Sequence, residues 1–265
     1  MPEITGHTRV FAILADPITQ VKAPQGLNRI MAERGVDGVM VPLHVAAADL
    51  ATVLAGLRAV RSFGGAIVTV PHKTAIVPLL DRVSDAARLV GAVNAVRREP
   101  DGSLVGEILD GAGFVAGLRA AGHELRGRSA YLAGAGGAAN AIAFALAEAG
   151  VARLTVHNRT AARVEDLFSR LRRLVPDLAL DPGGPDPAGH DVVVNATSLG
   201  LAPDDPLPLD PAGLAPDQLV AEIIMQPAET ALLRHAAARG CRTHPGLPML
   251  EGQLALMADF LRMRP

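Results

Sequence analysis

Only two of the 25 basic residues are lysines, Lys22 and Lys73; the other 23 are arginines. A guanidinium stays protonated, so proton transfer through a side-chain amine falls to one of these two. Lys73 closes the run Thr69-Val70-Pro71-His72-Lys73, which follows an apolar stretch. Asn94 lies in a second apolar stretch, and Asp110 follows a third. Open α/β sheets bind ligands at strand ends, which makes these residues candidates for acid–base work on a polar ligand. A nearby carboxylate raises a lysine pKa and burial lowers it, so the sequence leaves open whether Lys73 acts as a base or as a positioning donor.

A second constellation is Gly134-Ala135-Gly136-Gly137, set between an apolar strand and a small-residue helix. Glycines let the backbone turn sharply and approach a pyrophosphate. The helix beyond offers N–H groups and a positive dipole end to the anion. Ala139 falls at the third glycine position of the dinucleotide fingerprint, a permitted variant. NAD-binding chains place a ribose-binding acid at the end of the next strand. Here that place reads His157-Asn158-Arg159-Thr160, with no carboxylate before Glu165 and with Arg163 one turn on. Arg159 and Thr160 suit a 2′-phosphate, which points to NADP. The remaining histidines and Cys241 show no metal-ligand spacing, so no metal is expected.

These residues need a scaffold of alternating strands and helices. Strands are expected over 10–15, 39–43, 66–70, 130–133, 154–157, 191–195 and 218–222. Helices are expected from Pro24 to the stop at Gly35, over 46–60, 113–121 and 138–149, and over 249–261. A weaker helical stretch is interrupted by Pro78 before the apolar segment 92–96. Pro100-Asp101-Gly102 reads as a turn between short strands, and 181–190 and 202–211 read as loops. The expected architecture is α/β and two-lobed. An N-terminal substrate-binding and catalytic domain spans 1–107, and a Rossmann-type NADP-binding domain 108–239. A C-terminal segment, 240–265, returns a helix across the cleft.

Composition narrows the class. The chain has 265 residues, 49% from the hydrophobic set, a formal charge of −2 and one cysteine. Near-neutral charge and a single tyrosine without tryptophan argue against nucleic-acid binding. No apolar run approaches a membrane span, and the opening Met1-Pro2-Glu3-Ile4-Thr5-Gly6-His7 lacks a signal-peptide pattern. The lone cysteine fits a cytoplasmic location.

With these motifs in view, the chain resembles the shikimate dehydrogenase family over nearly its full length. Val68-Thr69-Val70-Pro71-His72-Lys73, Gly91-Ala92-Val93-Asn94, Asp110-Gly111, Gly134 to Ala138, Asn158 to Thr160 and Asn195 to Thr197 match family motifs in order. The resemblance implies hydride transfer between NADP and a ring hydroxyl in the shikimate pathway of aromatic amino acid biosynthesis. It implies Lys73 and Asp110 as the catalytic pair, with Thr69, Asn94 and Gln253 on the substrate. The cofactor set it implies is Gly134, Gly136, Gly137, Ala138, Asn158, Arg159, Thr160, Arg163, Asn195, Thr197 and Met249. The partner is a small cyclic alcohol or ketone, and the protein a monomer or homodimer.

Departures from the family fall at one end of the substrate. The two serines that hold the carboxylate of shikimate are Val21 and Ala23 here. The Asn before Thr-Val-Pro-x-Lys is Ile67, the Thr before Asp-Gly is Leu109, and a tyrosine is Met225. Lys22 offers a charge beside the missing serines. His72 replaces an apolar or aromatic residue and reads as a packing histidine. Two other readings stand beside the leading one. One is a folate-linked methylene dehydrogenase, disfavoured by scarce aromatics; the other is a non-catalytic NADP- or ligand-binding protein.

Overall fold

A computed structural model describes residues 3–264; Met1 and Pro2, on which the leader reading partly rests, and Pro265 lie outside the described residues. The chain divides into two compact units, Met1–Leu109 with Gln253–Pro265, and Asp110–Gly252. The changes of unit thus fall at 109/110 and 252/253, where the sequence suggests 107/108 and 239/240.

The first unit is built on β1 (Arg9–Ala15), α1 (Ala23–Glu33), β2 (Gly38–His44), α2 (Leu50–Ala59), β3 (Phe63–Val68), β4 (Arg82–Val83), α3 (Asp85–Val90), β5 (Ala95–Arg98) and β6 (Leu104–Glu107). Its sheet runs β2-β1-β3-β5-β6-β4. β1 is parallel to both β2 and β3, and β5 pairs antiparallel with β3 and β6. The central parallel strands β1 and β3 are nearly continuous buried apolar runs, as strands covered on both faces must be, whereas the edge strand β2 is partly exposed. Pro24 falls in the first turn of α1, where a missing N–H costs nothing.

Strand β3 corrects the expected span of 66–70. It begins at Phe63 because Gly64 and Gly65 fit inside the sheet. A Cβ on Gly64 would meet the Phe11 ring at 2.5 Å. Gly65 holds φ +152, and a Cβ there would lie 2.3 Å from Val96 O. The strand ends at Val68 because the chain turns back at once, with the His72 N–H donating to Thr69 O at 2.8 Å. The expected helix 46–60 is a 3-10 turn, Ala47–Asp49, followed by α2. The stretch around Pro78 is a 3-10 turn, Val77–Leu79, and only α3 is helical, capped by Ser84. Of the segment 92–96, only Ala95 and Val96 are in β5.

The second unit contains α4 (Asp110–Ala120), β7 (Ser129–Ala133), α5 (Gly137–Glu148), β8 (Arg153–His157), α6 (Ala161–Leu174), β9 (Ala179–Pro182), β10 (Val192–Asn195), β11 (Leu219–Glu222), α7 (Ala231–Ala238) and β12 (Arg242–His244). Its six strands are all parallel, in the order β12-β11-β10-β7-β8-β9. β9 enters the stretch expected as loop 181–190. Helix α4 begins three residues earlier than expected, which makes Asp110 its first residue. Glycine permits its packing on α5, since a Cβ on Gly111 would run into Ala141 O. The last helix, α8 (Leu247–Phe260), starts in this unit and ends in the first.

Candidate active site

In the first unit the strand ends place several of the implied substrate residues together. Thr69 follows β3, and its N–H donates to Leu14 O at 3.1 Å. The turn it starts delivers Lys73, half-buried, whose carbonyl accepts the Val93 N–H at 2.8 Å. Asn94 comes next and is 1% exposed. Its backbone bridges two strands: the carbonyl accepts from Val68 N–H at 2.8 Å and the N–H donates to Glu107 O at 2.9 Å. Its side-chain Oδ1 accepts the Leu109 N–H at 2.8 Å, which fixes the amide and the chain leading into Asp110. Thr69, Lys73 and Asn94 therefore share one hydrogen-bonded framework. Gln253 belongs to the same unit and is buried.

Sequence reasoning passes over two supports of this framework. Ser84 Oγ donates to Glu107 Oε1, and the same oxygen accepts the Ile108 N–H at 2.8 Å. A serine followed at capping distance by a helix is the visible signal for the first of these. His72 is fully buried with Nε2 2.8 Å from Val45 O, a packing position.

Four of the five departures collect in one place. Ile67 and Ala23 belong to the buried apolar cluster of Phe11, Ile13, Leu27 and Met257, and Val21, Ile18, Leu109 and Leu254 pack against it. Lys22 is exposed at the N-terminus of α1 and makes no capping bond. Met225 stands apart in the second unit, 39% exposed.

In the second unit, Asp110 is 6% exposed in the first turn of α4, where the helix dipole favours a carboxylate. Gly134 ends β7 with φ +113, and its N–H donates to His157 O at 2.8 Å. A Cβ there would lie 3.0 Å from Ala196 O, so the turn needs glycine. Gly136 is the N-cap of α5, and a Cβ on Gly136 or Gly137 would meet nothing within 4 Å. Ala138 follows, half-buried. The first turns of α5 and α6 hold no acidic residue, and neither helix has a side-chain N-cap bond. Both N-termini thus suit an anion.

Asn158 shapes the turn into α6 by donating from Nδ2 to Thr160 O at 3.0 Å. Arg159, Thr160 and Arg163 are exposed around it. Asn195 Oδ1 accepts from the N–H of Thr197 at 3.0 Å and from its hydroxyl at 2.7 Å. Met249 is buried early in α8. A glycine cradle open at two helix N-termini, with exposed arginines at the second, fits a dinucleotide carrying an extra phosphate.

A parallel Rossmann-type unit with this cradle, joined to a second α/β unit, has the make-up of a dinucleotide-binding protein. The shikimate dehydrogenase substrate binding domain matches residues 13–96, and shikimate / quinate 5-dehydrogenase matches residues 118–199. The shikimate dehydrogenase (NADP(+)) of Rubrobacter xylanophilus is 42% identical over 254 residues, covering 94% of this chain and 89% of that protein. The shikimate 5-dehydrogenase of Thermus thermophilus, solved with NADP(H) and shikimate, is 33% identical with a TM-score of 0.85, covering 96% of this chain and 93% of that one. The 5-ketofructose reductase of a Gluconobacter species is 31% identical with a TM-score of 0.88, covering 97% and 94%. This chain belongs to the shikimate dehydrogenase family, and the curated relatives it matches are named NADP-dependent shikimate dehydrogenases, oxidoreductases acting on a secondary alcohol. Among the described residues, no helix is long and apolar enough to cross a membrane.

Proposed function

We propose that this enzyme interconverts a cyclic secondary alcohol and its ketone, with Lys73 and Asp110 at the reacting oxygen, and that shikimate itself is a poor substrate. NADP, when bound, supplies the hydride acceptor. Lys73 Nζ takes the hydroxyl proton as the C–H bond breaks, with the Asp110 carboxylate as the second group of the pair. Thr69, Asn94 and Gln253 hydrogen-bond the other ring hydroxyls. Gly134, Gly136, Gly137 and Ala138 cradle the pyrophosphate, while Asn158, Arg159, Thr160 and Arg163 take the 2′-phosphate. Asn195, Thr197 and Met249 complete the cofactor contacts.

The observation that carries the substrate reading is the apolar cluster. Val21, Ala23, Ile67 and Leu109 lie in it or against it and present no side-chain donor. A carboxylate brought there sheds water without regaining bonds, at a cost of ~1–3 kcal/mol per lost donor and more for a charge. A ring bearing a neutral or hydrocarbon group at that end suffers no such loss. The ketone named for the Gluconobacter relative also carries no carboxylate.

The test is NADP reduction across cyclic alcohols matched in ring hydroxyls but differing at the carboxylate position. The expected result is faster turnover of the uncharged members. Equal turnover with and without the carboxylate would remove the substrate reading, and no turnover of any member would remove the catalytic one.

A further inference from the structure

The second unit buries a carboxyl group that the chemistry above does not use. Glu222 ends β11 with none of its surface exposed. In register it lies opposite Asn195, the last residue of β10. Its Oε2 accepts the Thr230 hydroxyl at 2.9 Å. Thr230 is 1% exposed and caps α7 by accepting the Leu233 N–H. Glu222 Oε1 has no hydrogen-bond partner among the described residues. Burial pushes this carboxyl above its ordinary range, against the smaller opposing pull of the Thr230 hydroxyl. A buried carboxyl with an unmatched oxygen is costly to a fold, and an apolar residue of similar size would cost less there.

Through Asn195 this group reaches the cofactor crevice. Asn195 Oδ1 binds Thr197 twice, and Nδ2 donates to Leu199 O at 3.0 Å, so one side chain shapes the whole turn. That turn lies against Gly134, where a Cβ would be 3.2 Å from Thr197 Cγ2. The sheet places β8 on one side of β7 and β10 on the other. The topological switch, and with it the crevice for a dinucleotide, therefore falls between the Gly134 turn and the Asn195 turn.

We propose that Glu222 is a positioning residue for NADP: held by the Thr230 hydroxyl, it lies beside Asn195 on the neighbouring strand and keeps the 195–197 turn in place beside the Gly134 turn. Its role does not depend on which alcohol the enzyme oxidises. Glu222→Gln keeps the shape and the acceptor for Thr230, and NADP affinity by calorimetry is expected to stay within about twofold. Glu222→Leu is expected to raise the NADP Kd about tenfold, and Asn195→Ala to do the same, with the double variant no worse than about twofold beyond either. In the cofactor-free protein, Glu222→Leu should speed amide exchange at Thr197 and Leu199 while holding Tm within about 3 °C. A purely structural Glu222 would instead lower Tm and leave the Kd of the folded fraction unchanged, which would overturn the proposal. So would losses that multiply in the double variant. Should Glu222→Leu fail to fold, Thr230→Val compared with Thr230→Ser carries the test. The valine is expected to weaken NADP binding and the serine not, and equal affinities would overturn it.

Discussion

The two binding regions of this molecule are written in different materials. In the second unit, the proposed cofactor site rests largely on backbone. It needs a glycine at φ +113, two glycines open to 4 Å and two helix N-termini clear of acid, with a few arginine and hydroxyl side chains added. In the first unit, the framework of Thr69, Lys73 and Asn94 is held by main-chain bonds, but the proposed carboxylate end, lined by Val21, Ala23, Ile67 and Leu109, would depend on side chains alone. With Val21 before the N-cap and Ala23 as first residue in place of the family's serines, α1 still forms, and only the side chains offered at its start differ. A backbone-built site resists drift, whereas a side-chain-built one can be rewritten within an unchanged fold. The comparison predicts that damage to each region should show in a different kinetic constant.

The largest effect is expected at the reacting oxygen. Lys73→Ala should lower kcat by ~10²–10⁴, the usual worth of a positioned acid or base, and leave the NADP Kd near wild type. Calorimetry alongside single-turnover rates checks this. A lost Kd with normal turnover of the bound complex would put Lys73 in the cofactor region instead.

Arg159→Asp comes next. Removing a charge-assisted contact to the 2′-phosphate and adding a repulsive carboxylate should weaken NADP by about 10- to 100-fold and leave NAD nearly unchanged. Fluorescence titration with both cofactors measures the ratio. Equal losses for the two would mean that Arg159 does not face the phosphate.

Gly134→Ala should give the smallest effect of the three. The left-handed backbone costs the alanine roughly 1–2 kcal/mol, and its Cβ must push on Ala196 O. A lower Tm together with weaker NADP binding is expected, while the shikimate analogues keep their relative order. A change in that order would break the separation between the two regions.

How much of this is legible in the sequence follows the same division. The Gly134 turn and the Asn158 to Thr160 turn are short, local and motif-like, so their placement can be read directly. The first strand and its following helix are also visible, because Phe11 to Leu14 form an unbroken apolar run and Leu27, Ile30 and Met31 recur at helical spacing. Helix α6 buries Val164, Leu167, Phe168 and Leu171 at helical spacing with arginines and acids between them, a pattern present in the sequence but absent from the expected elements. Strand β9 is a mostly exposed edge containing Asp181 and Pro182, with no alternation to announce it. Helix α7 and β12 are too short for their periodicity to stand out. The pairing of Ser84 with Glu107, and of Thr230 with Glu222, joins residues on different elements. No local pattern encodes such contacts. The clustering of Val21, Ile67 and Leu109 is likewise a tertiary fact, although each replacement is visible singly.

The most direct test of the rewritten substrate end is kcat/KM for shikimate, measured for the wild-type chain and for Val21→Ser combined with Ala23→Ser. Two missing donors correspond to about two to four powers of ten at ~1.4 kcal/mol per tenfold step. The wild type is therefore predicted to fall below the ~10⁴–10⁸ M⁻¹s⁻¹ range of ordinary enzymes, and the double variant to recover at least about tenfold with its NADP Kd unchanged. A wild-type value inside that range, or a double variant that gains nothing on shikimate, would contradict the account.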